Sequence, residues 1–228
     1  MVFLPEPNHL SDPYHRYEMP DFDSNCTRCP RLAGFLKEVK QKYPSYYAKP
    51  VPPFGDPDAR LLIVGLAPGM HGANATGRPF TGDYAGILLY QTLYKYGFAS
   101  APESVSRDDS LELRNCRITN AVKCLPPENK PIGDEINTCN EFLANELNGL
   151  SDNSLVMALG TIAHKSVLRG LGQKQSQFKF AHGAVHRLDD KLTLIDSYHC
   201  SRYNTQTRRL TPKMFESVFQ QASDLLRQ

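Results

Sequence analysis

Four groups of residues in this 228-residue sequence have types and spacings that can do chemistry. The first is Cys26-x2-Cys29 together with Cys124 and Cys139. A Cys-x2-Cys spacing lets two thiolates reach one metal centre. Cys124 follows a β-type run and Cys139 lies in a helical stretch, so all four can face one point. Four thiolates hold either a tetrahedral zinc or an iron–sulfur cluster, and the spacing leaves both open. The plainer alternative is four buried core thiols, since free cysteine packs as a small apolar residue. Cys116 and Cys200 fall outside the group.

The second group is the loop GLAPGMHGANATGRPFTGD (65–83). Its glycines let backbone approach a ligand or turn sharply. It contains neither a G-x-G-x-x-G fingerprint nor the G-K-[ST] of a Walker loop. Asp83 ends it near a helix start, as a cap or as a carboxylate facing a pocket. Phe80 is either core or a stacking platform. The third group is Thr119-Asn120 inside the apolar run RITNAV. A buried Asn needs partners, from neighbouring backbone or from a planar, amide-bearing ligand. The fourth is DSYHCSRYNT (196–205). Here His199 is followed by Arg202, Tyr203 and Asn204, and then by Arg208 and Arg209. These types grip phosphates or wedge a duplex.

The elements that must position these groups are legible as a change of period. LLIVGL (61–66), RITNAV (117–122), SLVMALG (154–160) and LTLID (192–196) read as short buried strands. Between and around them, 31–42, 83–98, 134–147, 161–169 and 211–226 read as helices. The last opens with Thr-Pro, a cap and first-turn pair. Strands alternating with helices predict a parallel sheet covered on both faces. Ligand sites in such sheets lie at the carboxyl ends of strands. The glycine-rich loop, NAVKC, GTIAHK and SYHCSRYNTQTRR all fall there. Residues 1–25 read as an irregular, proline-rich arm, and 44–57 as a connection.

Composition narrows the class further. With 40% hydrophobic and 22% charged residues, the chain is not wholly disordered. No apolar run approaches a membrane span, and the N-terminus does not read as a secretory signal. The six cysteines therefore point to metal or catalysis in a reducing compartment rather than to disulfides. Net charge is only +2. Its distribution is uneven: Lys165, Arg169, Lys174, Lys179 and Arg187 lie in a stretch free of acids, as do Arg202, Arg208, Arg209 and Lys213. A one-sided basic surface suits a polyanion.

At these residues the sequence resembles the uracil-DNA glycosylase superfamily, and within it the iron–sulfur branch called type b or family 5. The resemblance is carried by CTRC (26–29), GLAPGMHGANATGRPFTGDYAG (65–86), TNAVKCLPPENKP (119–131), Cys139 and SYHCSRYNTQTRRLTPKM (197–214), in the family's order. The related family 4 carries an acidic residue directly after the first glycine, where Leu66 stands here. The resemblance implies a three-layer α/β/α sandwich with a central four-stranded parallel sheet, in one catalytic domain over 26–228. It implies a [4Fe-4S] cluster, mainly structural, on Cys26, Cys29, Cys124 and Cys139.

It also implies a monofunctional glycosylase that starts base excision repair. Uracil, and also hypoxanthine and other deaminated or damaged bases, would be flipped out of double- or single-stranded DNA and cut from the sugar by hydrolysis. Gly65, Leu66, Ala67 and Phe80 would surround the base, with Phe80 stacking on it. Asn120 would read the uracil edge. His199 would hydrogen-bond the departing base. Asp83 would activate water or stabilise the sugar cation. Ser201, Arg202, Tyr203 and Asn204 would contact DNA. The enzyme would be a cytoplasmic monomer, nucleoid-associated in a bacterium.

Two positions depart from the family pattern. Cys200 stands where proline usually follows the histidine, which predicts a looser wedge loop. Gly69-Met70 stands where Ala-Ala is common, and Met70 is expected to bear on pocket breadth. Three other readings compete. One is a non-catalytic, metal-stabilised nucleic-acid-binding module. Another is a metal-dependent phosphate-ester enzyme. The third is an iron–sulfur electron carrier, which lacks its usual compact cysteine spacing here.

Overall fold

The apolar runs become the middle of one sheet. A computed structural model describes residues 21–227; most of the arm expected over 1–25 lies outside the described residues. In chain order the elements are α1 (Pro30–Lys42), β1 (Phe54–Gly55), β2 (Leu61–Gly65), α2 (Ala73–Thr76), α3 (Tyr84–Lys95), β3 (Cys116–Asn120), α4 (Gly133–Asn148), β4 (Ser154–Leu159), α5 (Thr161–Gly170), β5 (Val185–Arg187), β6 (Leu192–Ser197), α6 (Arg202–Gln206) and α7 (Pro212–Leu226).

The four expected strands are parallel and adjacent, in the order β3-β2-β4-β6. They form the centre of a six-stranded mixed sheet, because β1 and β5 add antiparallel edges. The expected central four-stranded parallel sheet is present, extended by these two short edges. β1 is two residues long and β5 is the three residues VHR. Neither is long enough to show an alternating pattern.

Every residue of β2 and β4 is buried, so both sheet faces must be covered. Alternation divides their side chains. Leu61 and Ile63 join Leu89 and Leu93 of α3 and Phe215 and Phe219 of α7. Leu62 and Val64 join Leu143 and Leu147 of α4 and Val167 of α5 on the opposite face. This is the three-layer α/β/α arrangement. A third cluster packs Leu32, Leu36 and Val39 of α1 on Val122 and Leu125, just past β3. Thr211 caps α7, its Oγ1 accepting from the Met214 N–H at 3.2 Å, with Pro212 in the first turn.

Core and surface should separate cleanly in denaturant. Phe219→Ala, at a fully buried site, is expected to cost about 3–5 kcal/mol in urea unfolding. Tyr203→Ala, at a side chain 71% exposed, should change stability by less than about 0.5 kcal/mol. Equal effects would contradict this core.

Candidate active site

Pairing of β2 with β3 brings Gly65 opposite Asn120 at the carboxyl ends of both strands. A Cβ on Gly65 would run into Asn120 Oδ1 and sit 2.7 Å from Phe80 Cζ. Glycine is therefore what lets the asparagine amide and the phenyl ring meet over the strand end. Phe80 itself holds φ at +54°, an uncommon conformation for a non-glycine residue. It is kept there from below, where the buried Tyr90 hydroxyl donates to the Pro79 carbonyl at 2.9 Å.

These groups open onto a cavity of about 470 Å³. Leu66, Ala67, Phe80, Asp83, Asn120 and His199 line it, drawn from the loop after β2, the end of β3 and the segment after β6. Asn120 Oδ1 is buried and has no hydrogen-bond partner among the described residues. An unpaired buried acceptor costs about 1–3 kcal/mol, which a ligand N–H would recover. The His199 and Phe80 rings stack at 5.8 Å with 28° between their planes.

Asp83 fulfils both roles that the sequence left open. Its Oδ1 accepts from the Gly86 N–H at 3.0 Å and caps α3. The same carboxylate lines the cavity. A Cβ on Gly72 would overlap Asp83 Oδ2, so that glycine clears the space the carboxylate occupies. Burial raises the Asp83 pKa, against the opposing pull of the Gly86 and Ala85 N–H groups. Burial lowers the His199 pKa to about 4, so its imidazole is neutral at pH 7. A neutral ring can donate a hydrogen bond without bringing a charge into the cavity.

The segment after His199 is held without proline. Cys200 is fully buried in the core. Ser201 Oγ accepts from the Asn204 N–H at 3.4 Å, and Asn204 Nδ2 donates to the His199 carbonyl at 2.8 Å. The expectation for Met70 is corrected: it packs against the α1 cluster, while its neighbour Gly69 borders the cavity. Arg202 lines the cavity and lies over the Tyr84 ring at 5.8 Å. Tyr203 projects into solvent.

The four cysteines converge on a separate cavity, which also touches Lys123 and Phe142. Cys26, Cys29 and Cys139 all lie close enough to Cys124 to repel its thiolate. Burial is the main cause that raises the Cys29 and Cys124 thiols and pushes Cys139 up to about 11. Arg31 fixes this corner. Its guanidinium grips Glu135 through Nε and a terminal nitrogen, at 2.7 and 2.8 Å, tying α1 to α4. Cys29 directly precedes α1 and Cys139 lies on α4, so the clamp ties together the two elements that carry them. The donor set suits a metal or cluster that draws off the thiol protons.

Sequence reasoning missed Tyr84 and Asn129 at the cavity. Tyr84 follows Asp83 and was legible only as helix. Asn129 sits at φ +57° in the PPEN turn, where the turn residues were the available signal. Also missed was the buried carboxylate of Asp196, three residues before His199. It meets His164 Nδ1 at 2.8 Å and His186 Nε2 at 3.1 Å, joining α5 and β5 to the end of β6.

Comparison with known proteins fits this arrangement. The family described as "Uracil DNA glycosylase superfamily" matches residues 52–223. A protein of Thermus thermophilus named type-5 uracil-DNA glycosylase is 46% identical over 205 residues, covering 88% of this chain and 93% of its own. A type-5 uracil-DNA glycosylase of Pyrobaculum aerophilum is 43% identical over 203 residues, covering 87% and 88%. A type-4 uracil-DNA glycosylase of the same organism is 31% identical over 164 residues, covering 72% and 69%.

The two titrating groups give an early check by NMR. Asp83 carboxyl carbon should titrate above the ordinary value of about 3.9. His199 should stay neutral until the pH nears about 4. A His199 midpoint near the ordinary value of about 6.5 would contradict the buried ring.

Proposed function

The chain belongs to the uracil-DNA glycosylase superfamily, and from that premise we propose that it excises uracil from DNA by hydrolysing the N-glycosidic bond, the first step of base excision repair. The observation that carries the reading is one cavity holding an aromatic ring, an unpaired amide oxygen, a neutral histidine and a half-buried carboxylate.

Each group has a part in the reaction. A base inside a duplex is out of reach, so the nucleotide must be flipped out first. Phe80 then stacks on the pyrimidine. Asn120 Oδ1 accepts from the base N–H, and its amide N–H₂ donates to the adjacent carbonyl. As the glycosidic bond breaks, its electron pair moves onto the base and the sugar takes on cationic character. His199 donates to the base oxygen where negative charge grows. Asp83 faces the opposite charge and accepts a proton from the attacking water, whose oxygen bonds to the sugar carbon. That proton passes on to the released base. A second cavity, of about 500 Å³, shares Phe80, Asp83 and Tyr84 with the first. We take it as the route by which water reaches Asp83.

Cys26, Cys29, Cys124 and Cys139 are the residues that would hold a [4Fe-4S] cluster. When bound it would supply a cross-link between the segment before α1, the segment after β3 and α4, not a reacting group. Ser201, Arg202, Tyr203 and Asn204 face the DNA, with the exposed Tyr203 ring as the wedge that fills the vacated stack. Hypoxanthine is read as a further substrate, and single strands as well as duplexes. Residues 26–228 are read as one catalytic domain, acting inside the cell as a monomer. No helix among the described residues is long and apolar enough to cross a membrane.

Single-turnover cleavage of labelled duplexes tests this directly. With uracil opposite guanine and no added divalent metal, strand breaks are expected only after alkali. His199→Ala should slow the step about 10²–10³-fold, as for loss of one donor at a developing anion. Asp83→Asn should slow it as well and remove the fall in rate at acid pH, which in the parent marks protonation of a carboxylate raised above its ordinary range. Intact strands after alkali, from protein that binds the same duplex, would overturn the enzyme reading. Iron analysis tests the cage separately: about four irons per chain are expected, lost in Cys139→Ser, and zinc alone would refute the cluster.

A further inference from the structure

Lys123 is 1% exposed, and no step above uses its ammonium. Burying a charge is costly, and replacing a buried ion pair by well-packed apolar groups is often neutral or stabilising. Stability alone therefore does not account for a lysine here. Its partners are specific. Nζ donates to Glu146 Oε1 and to Thr119 Oγ1, and the Thr119 hydroxyl donates to Glu146 Oε1 at 3.1 Å. The two charged side chains are 2% and 11% exposed. Glu146 Oε2 is buried with no partner among the described residues, so the carboxylate is held mainly by this one ammonium.

The same lysine belongs to the cysteine corner. Its backbone N–H donates to Cys139 Sγ at 3.2 Å. Lys123 lines the cavity into which the four thiols face, and its charge acts on the Cys139 thiolate. Its carbonyl accepts from the Val51 N–H at 2.7 Å, which fixes the chain between Asn120 and Cys124. One residue thus places a donor on a ligand sulfur and a fixed charge beside the cage.

We propose that Lys123 and Glu146 form a buried ion pair that sets the reduction potential of the cluster held by the four cysteines, with Lys123 raising it and Glu146 lowering it. The inference rests on the four-cysteine reading above. A fixed positive charge favours the more negative, reduced state of a neighbouring cluster, and a fixed negative charge favours the oxidised state. Net charge and hydrogen bonds to sulfur are the protein's main levers on such potentials. Both residues act as positioning residues: they touch neither the base nor the sugar.

The test uses the whole iron-loaded protein, bound to a uracil-free duplex on an electrode, with the one-electron couple read by voltammetry. Glu146→Gln keeps the shape and hydrogen-bonding reach of the side chain while removing its charge, and should move the couple to more positive potential. Lys123→Met should move it to more negative potential, and the isosteric Glu146 variant carries the test alone if the lysine variant does not fold. A packing role would not give shifts of opposite sign. Unmoved couples, shifts of one sign or an electrochemically silent cluster would overturn the proposal while iron content leaves the cage reading intact. Chains that purify without iron would overturn the cage reading, and this proposal with it.

Discussion

Parallel pairing of β2 with β3, in the register that sets Gly65 against Asn120, is the constraint on which the site depends. Slippage by one residue would turn every side chain of β3 to the other face. Asn120 would leave the cavity, and Thr119 would leave Glu146. Ile118, buried in the core with α3 and α7, would be driven toward the opposite layer. The fully buried faces of β2 and β4 forbid such a slip, so the hydrophobic layers fix where the polar groups stand. The chemistry at the strand ends is positioned by packing more than by its own hydrogen bonds.

Electrostatics then follow from depth. His199 and Asp83 face one cavity, and burial disfavours the charged form of each. For the histidine this gives a neutral ring that can donate into the cavity. For the aspartate it gives a more basic carboxylate, still held in place by the first turn of α3. The helix cap that looked like the bland alternative to catalysis is what orients the carboxylate at the cavity. Gly72 completes the arrangement by clearing space at Asp83 Oδ2.

The four central strands and the five longer helices are legible in the sequence, because continuous apolar runs and helical spacing both survive into the buried layers. The short elements are not: β1, β5, α2 and α6 offer two to five residues each, too few for a period. The candidate residues were readable for a different reason. Asn120 is polar in an apolar strand, His199 follows one, and the glycines of 65–83 have no helical use. Met70 misled because adjacency in a loop does not fix which way a side chain turns, and here the α1 cluster takes it. Lys123 stood inside the NAVKC motif without a role, since a lysine in sequence reads as surface until its burial and its partner 23 positions later are seen.

The measurement that bears most directly on this account is the fate of solvent oxygen. Uracil-containing duplex turned over in ¹⁸O-water should release free uracil without label and leave one ¹⁸O on the abasic sugar, and a chain carrying both Asp83→Asn and His199→Ala should release none on the same timescale. Release of uracil by that double variant at the parent rate, or label in the base instead of the sugar, would contradict hydrolysis at this cavity.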